Sequence, residues 1–239
     1  AMDTCLACKA CASQCPIKID VPTFRSQFNQ LYHQRYFRPI KDYVVSNLEF
    51  IAPIMAKAPR FFNFFSTTQL AEAAANKLIG MTYLPALSVP NLRQQLVAIG
   101  YQGETLEALE QRAASGQFSA ENCKTVLIVQ DPFTTFYDAK VVADFVKFVE
   151  KIGFRPIVLP FNPSGKAQHI KGFLSQFAKT AKNQAEFLNR VAKLGLPMVA
   201  VDPALTLLYR DEYRDILKAE RGNFHVQLAH EWLKSIIQN

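Results

Sequence analysis

The chain has 239 residues, of which 49% are hydrophobic and 20% charged, so it can bury the core of one large domain or two small ones. Its net charge of +7 is spread over lysines and arginines without a run of five or more, which argues against a nucleic-acid partner. No apolar stretch reaches the roughly 18 to 20 residues of a membrane span, and no signal peptide is recognisable. We therefore expect a cytoplasmic protein.

Four of the five cysteines stand close together near the N-terminus. Cys5, Cys8, Cys11 and Cys15 have the spacing C-x2-C-x2-C-x3-C, and Pro16 completes the bacterial ferredoxin pattern for a [4Fe-4S] cluster. Structural zinc usually needs two separate C-x2-C pairs, so this single run suits zinc poorly. The motif predicts that these four cysteines are metal ligands and bind iron–sulfur cofactors.

The same motif predicts that a second one exists elsewhere. In two-cluster ferredoxins, the cysteine before the proline ligates the other cluster. Cys5, Cys8 and Cys11 would then need a fourth thiolate from another motif, while Cys15 would complete a second cluster. Cys123 cannot supply it in this pattern because no proline follows it. We expect a first motif upstream in a longer protein, and a metal-free chain when this piece is purified alone in air.

Residues 1–22 therefore form a predicted ferredoxin-like cluster loop, and residues 23–122 a predicted helical region with a linker. A helix should begin near Pro22, because apolar residues recur at Phe24 and Phe28 with the spacing of one helix face. The other predicted boundaries are breaks at Pro39, Pro53 and Pro59, a stop at Gly80, and a further helix from Thr105 to Ala114.

The stretch around Lys57 and Arg60 is rich in phenylalanine and isoleucine. These side chains are expected to pack within the helical region or against a partner domain. An amphipathic helix in peripheral contact with the inner membrane face remains as an alternative, and it would give access to a quinone.

Residues 123–239 are predicted to form an α/β domain with a small parallel sheet. The apolar run Thr125–Gln130 is typical of a strand covered on both faces, and a helical pattern ending at Gly153 separates it from a second strand, "RPIVLP". Such a β-α-β unit implies parallel pairing, and "PMVAVDP" (197–203) predicts a third strand. The pattern predicts closing helices at "RDEYRDILKAE" and "QLAHEWLKSII". There is no glycine-rich phosphate loop, and the histidines lack metal-ligand spacing.

The segment "CLACKACASQCPIKIDVPTFRSQF", the proline-broken helices and "TVLIVQDPF" together resemble the iron–sulfur region of FAD-linked D-2-hydroxyacid dehydrogenases. This group is related to the glycolate oxidase iron–sulfur subunit, anaerobic glycerol-3-phosphate dehydrogenase and heterodisulfide reductase. The resemblance implies that FAD in an upstream flavin domain oxidises the hydroxy acid. It further implies that [4Fe-4S] clusters carry the electrons to a quinone or a protein acceptor, and that this chain has no catalytic residue and is inactive alone.

The α/β domain departs from that family at its cysteine-rich repeats. Relatives carry a cysteine after the first strand, Cys-Cys-Gly after the second and a cysteine near the third, where this chain reads "VQDPF", "PFNPSGKAQH" and "VDPALTLLYRDEY". Gly165 matches the repeat glycine, while Pro163 and Ser164 stand where the thiols would be. We expect this half to be a scaffold or docking surface. Two alternatives remain: an interaction module with a structural cluster, and a small-molecule site at the strand end "QDPF".

Overall fold

The structure is a computed structural model that describes residues 11, 16–17, 19–81, 85–116 and 124–238. The helices before the sheet are α1 (Val21–Arg35), α2 (Ile40–Ser46), α3 (Leu48–Met55), α4 (Pro59–Ser66), α5 (Gln69–Ile79), α6 (Leu92–Ala98) and α7 (Leu106–Ala114). The strands are β1 (Thr125–Val129), β2 (Arg155–Val158), β3 (Met198–Ala200) and β4 (Val226–Leu228). The helices around the sheet are α8 (Ala139–Lys151), α9 (Lys166–Ile170), α10 (Leu174–Ala192), α11 (Pro203–Arg210), α12 (Glu212–Leu217) and α13 (Ala229–Gln238), with a π-helical turn at Phe133–Tyr137 and a 3-10 turn at Lys218–Arg221.

Local chemistry sets several helix ends where the sequence predicts them. The Asp20 carboxylate accepts a hydrogen bond from the Thr23 amide at 3.1 Å and caps α1. Gly80 ends α5 in the left-handed conformation, with φ of 74°. The predicted break at Pro53 is wrong, because α3 continues through this residue to Met55. Proline removes one backbone hydrogen bond there, and the neighbouring Ala52 is fully buried.

The four strands form one parallel sheet in the order β2-β1-β3-β4. The predicted parallel pairing of the first two strands is confirmed. Strand β4 was not predicted, and its last two residues were assigned to the closing helix, because a strand of three residues is too short to show a period of two. A mixed helix and sheet fold with a small parallel sheet is thus confirmed, whereas the predicted cluster loop lies largely outside the described residues.

Helices cover both faces of the sheet. Ile128 of β1 packs against Val142 and Val146 of α8, while its neighbour Leu127 faces the opposite cluster, which includes Phe177 of α10. Every residue of β1 is buried. This two-sided burial explains why the strand is a continuous apolar run and does not alternate.

Polar contacts attach the first helices to the α/β half. The Ser26 hydroxyl of α1 donates to the His169 carbonyl, and an Arg38 Nη donates to the Gly172 carbonyl at 3.2 Å. The Arg38 guanidinium also lies 3.9 Å from the centre of the Phe173 ring. The predicted domain boundary at 122–123 falls outside the described residues, so it stays a prediction. Among the helices that the structure describes, none is both long and apolar enough to cross a bilayer.

Candidate functional site

The predicted cluster ligands fall mostly outside the described part of the chain. Cys5, Cys8, Cys15 and Cys123 all lie outside the described residues. Cys11 is described; it has helical backbone conformation and is half-buried. Within the described residues, no three His, Cys, Asp or Glu side chains are grouped to hold a metal ion. The prediction of a four-cysteine cluster site therefore rests on the spacing of the cysteines in the sequence.

The carboxyl ends of three strands meet at a small cavity of about 120 Å³. Asp131 follows β1, Ser164 follows β2 and Asp202 follows β3, and all three line this cavity. In open α/β sheets, ligands usually bind at this edge. The sequence analysis singled out this position as "QDPF", and the structure places it beside a cavity that α3 closes from one side.

Asp131 is 2% exposed, and its carboxylate holds the turn that follows β1. It accepts hydrogen bonds from the Phe133 amide at 2.8 Å, the Thr134 amide at 2.9 Å and the Thr134 hydroxyl. Burial raises the pKa of Asp131, and the nearby charge of Asp202 acts in the same direction. The carboxylate is thus engaged by its own loop, which starts the π-helical turn.

A buried glutamate from the helical region occupies the turn after β2. Glu49 of α3 is 2% exposed. It accepts hydrogen bonds from the Ser164 amide, from the Ser164 hydroxyl at 3.0 Å and from the Gly165 amide at 2.9 Å. Glu49 was not predicted from the sequence as a site residue. The only signal was one acidic residue inside the apolar segment "LEFIAPIM", which does not reveal its partners.

The third strand end is also engaged by local contacts. The Asp202 carboxylate caps α11 by accepting from the Ala204 amide at 2.9 Å, and it lies 3.7 Å from the Lys166 ammonium. The side chains at the three strand ends therefore carry oxygen atoms that are already hydrogen-bonded to neighbouring residues. Iron–sulfur clusters need thiolate ligands, so this edge does not fit the extra cluster of cysteine-rich relatives.

A larger cleft of about 700 Å³ lies against the edge strand β2, and we call it the β2 cleft. Its other walls come from α6, the segment 101–107 and the π-helical turn. Its lining includes the apolar side chains of Leu92, Leu96, Leu106, Phe136, Val158 and Leu159. The volume lies in the range of small-molecule sites, and no sequence motif marks this cleft.

Comparison with known proteins finds relatives along the whole chain. The chain is 60% identical over 239 residues to D-2-hydroxyglutarate dehydrogenases of Haemophilus influenzae and of Escherichia coli K12, and 37% identical over 237 residues to that of Pseudomonas putida KT2440. No protein-family model matches the chain, and no solved structure matches it. The chain covers 23% of each of these relatives. It is therefore homologous, from end to end, to a segment of about a quarter of a D-2-hydroxyglutarate dehydrogenase.

Proposed function

We propose that this chain is the electron-transfer segment of a larger FAD-dependent dehydrogenase that oxidises D-2-hydroxyglutarate or a related D-2-hydroxy acid. The observation that carries the proposal is the cluster-type cysteine motif within a chain that is 60% identical to D-2-hydroxyglutarate dehydrogenases. Cys5, Cys8 and Cys11 would hold one [4Fe-4S] cluster, and Cys15 would complete another. When bound, such clusters supply single-electron transfer between the flavin and an acceptor.

The described residues of the α/β half support a scaffold role in this proposal. A catalytic acid or base needs a side chain that can reach substrate, whereas Asp131 and Ser164 are 2% exposed and hold neighbouring loops. Oxidation of the hydroxy acid is accordingly assigned to the flavin-bearing part of the longer protein.

Anaerobic iron and sulfide analysis tests the proposal. We expect a longer protein that includes the upstream part of the dehydrogenase to hold about eight irons, as two cubane clusters require, and its visible absorption to bleach with D-2-hydroxyglutarate. Cys11→Ser should remove about four irons. Cys123→Ser is the matched control and should remove none. A wild-type content of about four irons, or none, would overturn the crossed ligation of the two clusters.

A second candidate function is a docking module whose cluster is structural. It is favoured by one face of α1, on which Phe24, Phe28 and Leu31 are 55%, 45% and 65% exposed. Apolar side chains in such a row are typical of a surface that meets a partner. The bleaching experiment separates the two functions, because a structural cluster would keep its oxidation state during turnover of the hydroxy acid.

A further inference from the structure

The β2 cleft has the wall chemistry of a site for a flat, uncharged molecule. Leu92 and Leu96 form one side, and Val158 and Leu159 lie on the side of the sheet. Phe136 adds an aromatic ring to the lining. Burial of an apolar ring against such walls is favourable, and a volume of about 700 Å³ leaves room for a two-ring compound.

The phenol of Tyr101 is part of the cleft lining and has a hydroxyl hydrogen to donate. The Tyr101 hydroxyl accepts a hydrogen bond from the Val158 amide at 2.8 Å, and its own hydrogen has no acceptor among the described residues. Burial raises the pKa of Tyr101, so the phenol keeps this hydrogen at neutral pH. Tyr101 therefore offers a ligand a hydrogen-bond donor next to the apolar side chains of Val158 and Leu159.

Charged groups in the lining are paired or lie at the rim. The Glu104 carboxylate is 2.6 Å from an Arg112 nitrogen and 3.4 Å from an Arg155 nitrogen. Arg93 and Glu107 are exposed. The interior of the cleft, as far as the structure describes it, thus presents no unpaired charge to a ligand, which favours a neutral one.

The cleft lies beside an aromatic helix with basic residues. Ala56 is part of the lining, and the chain continues from it through exposed Lys57 into α4. On α4, Phe61, Phe64 and Phe65 are 61%, 68% and 55% exposed. Exposed aromatic side chains beside lysine or arginine are typical of helices that lie in a membrane interface. A ligand dissolved in lipid would meet this helix next to the cleft.

We propose that the β2 cleft binds the ring of a lipid-soluble quinone, with the Tyr101 hydroxyl donating to one ring carbonyl. The proposal rests on the proposed electron-transfer function, which gives a reason for a quinone in preference to other flat rings. It concerns binding only, so it can be tested on this chain whether or not a cluster is present.

The test is calorimetric titration of the chain with 2,3-dimethyl-1,4-naphthoquinone, whose substituted ring cannot alkylate the cysteine thiols. We expect saturable binding of one molecule per chain. Tyr101→Phe should weaken binding about five- to tenfold, the effect of one lost hydrogen bond. Val97→Trp, at an exposed position of the lining, should abolish binding by filling the cleft. Ile237→Trp on α13 is the matched control and should bind like the wild type.

Two results would overturn the proposal. One is the absence of quinone binding to wild-type chain whose circular dichroism is that of a folded protein. The other is binding that Val97→Trp leaves unchanged, which would place the quinone elsewhere. Because iron content is measured separately, failure of quinone binding is distinguishable from failure of the proposed relay: the longer protein could still hold its clusters and bleach.

Discussion

Gly165 shows how one residue fixes the edge of the sheet where α9 begins. Its φ is 78°, in the left-handed region that only glycine adopts at low cost. A Cβ atom built there would lie 2.9 Å from Cδ2 of Phe177 and 3.2 Å from Cβ of Thr180. Both the backbone conformation and the close packing therefore require glycine, and the amide of this residue is one of the donors to Glu49.

We expect Gly165→Ala to lower the free energy of unfolding of the α/β half by about 2–4 kcal/mol, the sum of left-handed strain and overpacking. Gly153→Ala is a matched control, since its φ is 82° and no atom lies within 4 Å of the added Cβ. It should cost about 1–2 kcal/mol, the backbone part alone. Urea unfolding followed by Trp232 fluorescence measures both; equal losses in the two variants would show that packing at Gly165 has no effect.

For single residues, the sequence predicts some structural roles and does not reveal others, and the difference has a physical reason. Gly165 stands out because the segment resembles the Cys-Cys-Gly repeat, in which Gly165 takes the place of the glycine. Glu49 does not, because its partners Ser164 and Gly165 are more than a hundred residues away and nothing local marks them. The four-cysteine motif is the opposite case: its spacing alone predicts its chemistry.

Among the elements, β4 shows the limit of pattern analysis. Its three residues pair in parallel with β3 and also contact α11 and α13. Arg210 of α11 pairs with Glu231 of α13, with an Nη1 to Oε1 distance of 2.9 Å, and also donates to the Val226 carbonyl at 3.1 Å. The Leu228 amide donates to Glu231 at 3.0 Å. Pairing with the distant strand β3 therefore defines this strand, and hydrogen bonds with α11 and α13 support it, whereas the longer apolar run of β1 is predictable from sequence.

This pair predicts an acid-sensitive contribution to stability. The hydrogen bond from Arg210, with that from the Leu228 amide, lowers the pKa of Glu231 from its usual 4.5 to about 2. A pKa lowered in the folded state gives stability that is fully present above about pH 4.5 and is lost as pH falls through about 2. Because 37% of the Glu231 side chain is exposed, screening limits the contribution to about 1 kcal/mol.

Glu231→Gln should therefore destabilise the chain slightly at pH 6, and its difference from wild type should shrink as pH falls below about 4.5. Urea unfolding at several pH values, followed by Trp232 fluorescence, measures this difference. Arg210→Gln provides the second side of a double-mutant cycle, in which we expect a coupling of about 0.5–1 kcal/mol at pH 6. A difference that stays constant with pH would contradict the assigned pKa.

At the scale of the whole molecule, the buried apolar side chains that the structure describes lie mainly around the sheet and seldom in the first helices. The described core clusters are built from the sheet, its covering helices, and α6 and α7. Among the described apolar side chains of α1–α5, only Ala52 and Ala75 are buried, apart from Pro22. Among the side chains that the structure describes, these helices thus bury no apolar core of their own, and polar contacts attach the first of them to the α/β half. Sequence patterns predict the helices but not their exposure, since the same apolar face can meet a core or a partner.

The isolated chain should therefore unfold in two steps. A region with few buried apolar contacts opens at low free energy, so α1–α5 should unfold at lower urea than the sheet. Far-UV circular dichroism, which reports all helices, should begin to fall before the fluorescence of Trp232, the single tryptophan, which is 2% exposed beside the sheet. Coincident transitions would instead show that the polar attachments make the chain one cooperative unit.

The variant Glu49→Ala tests whether the first unfolding step is the detachment of the first helices from the sheet. It leaves two buried amides without their acceptor, at a cost of about 2–3 kcal/mol, and should move the early circular-dichroism transition to lower urea by about 1 M or more. The Trp232 midpoint should stay where it is, because once α3 has detached, the sheet no longer depends on Glu49. Glu150→Ala, at an exposed site on α8, should change neither transition appreciably. A Trp232 midpoint that moves with the early transition would mean that the helices and the sheet unfold together.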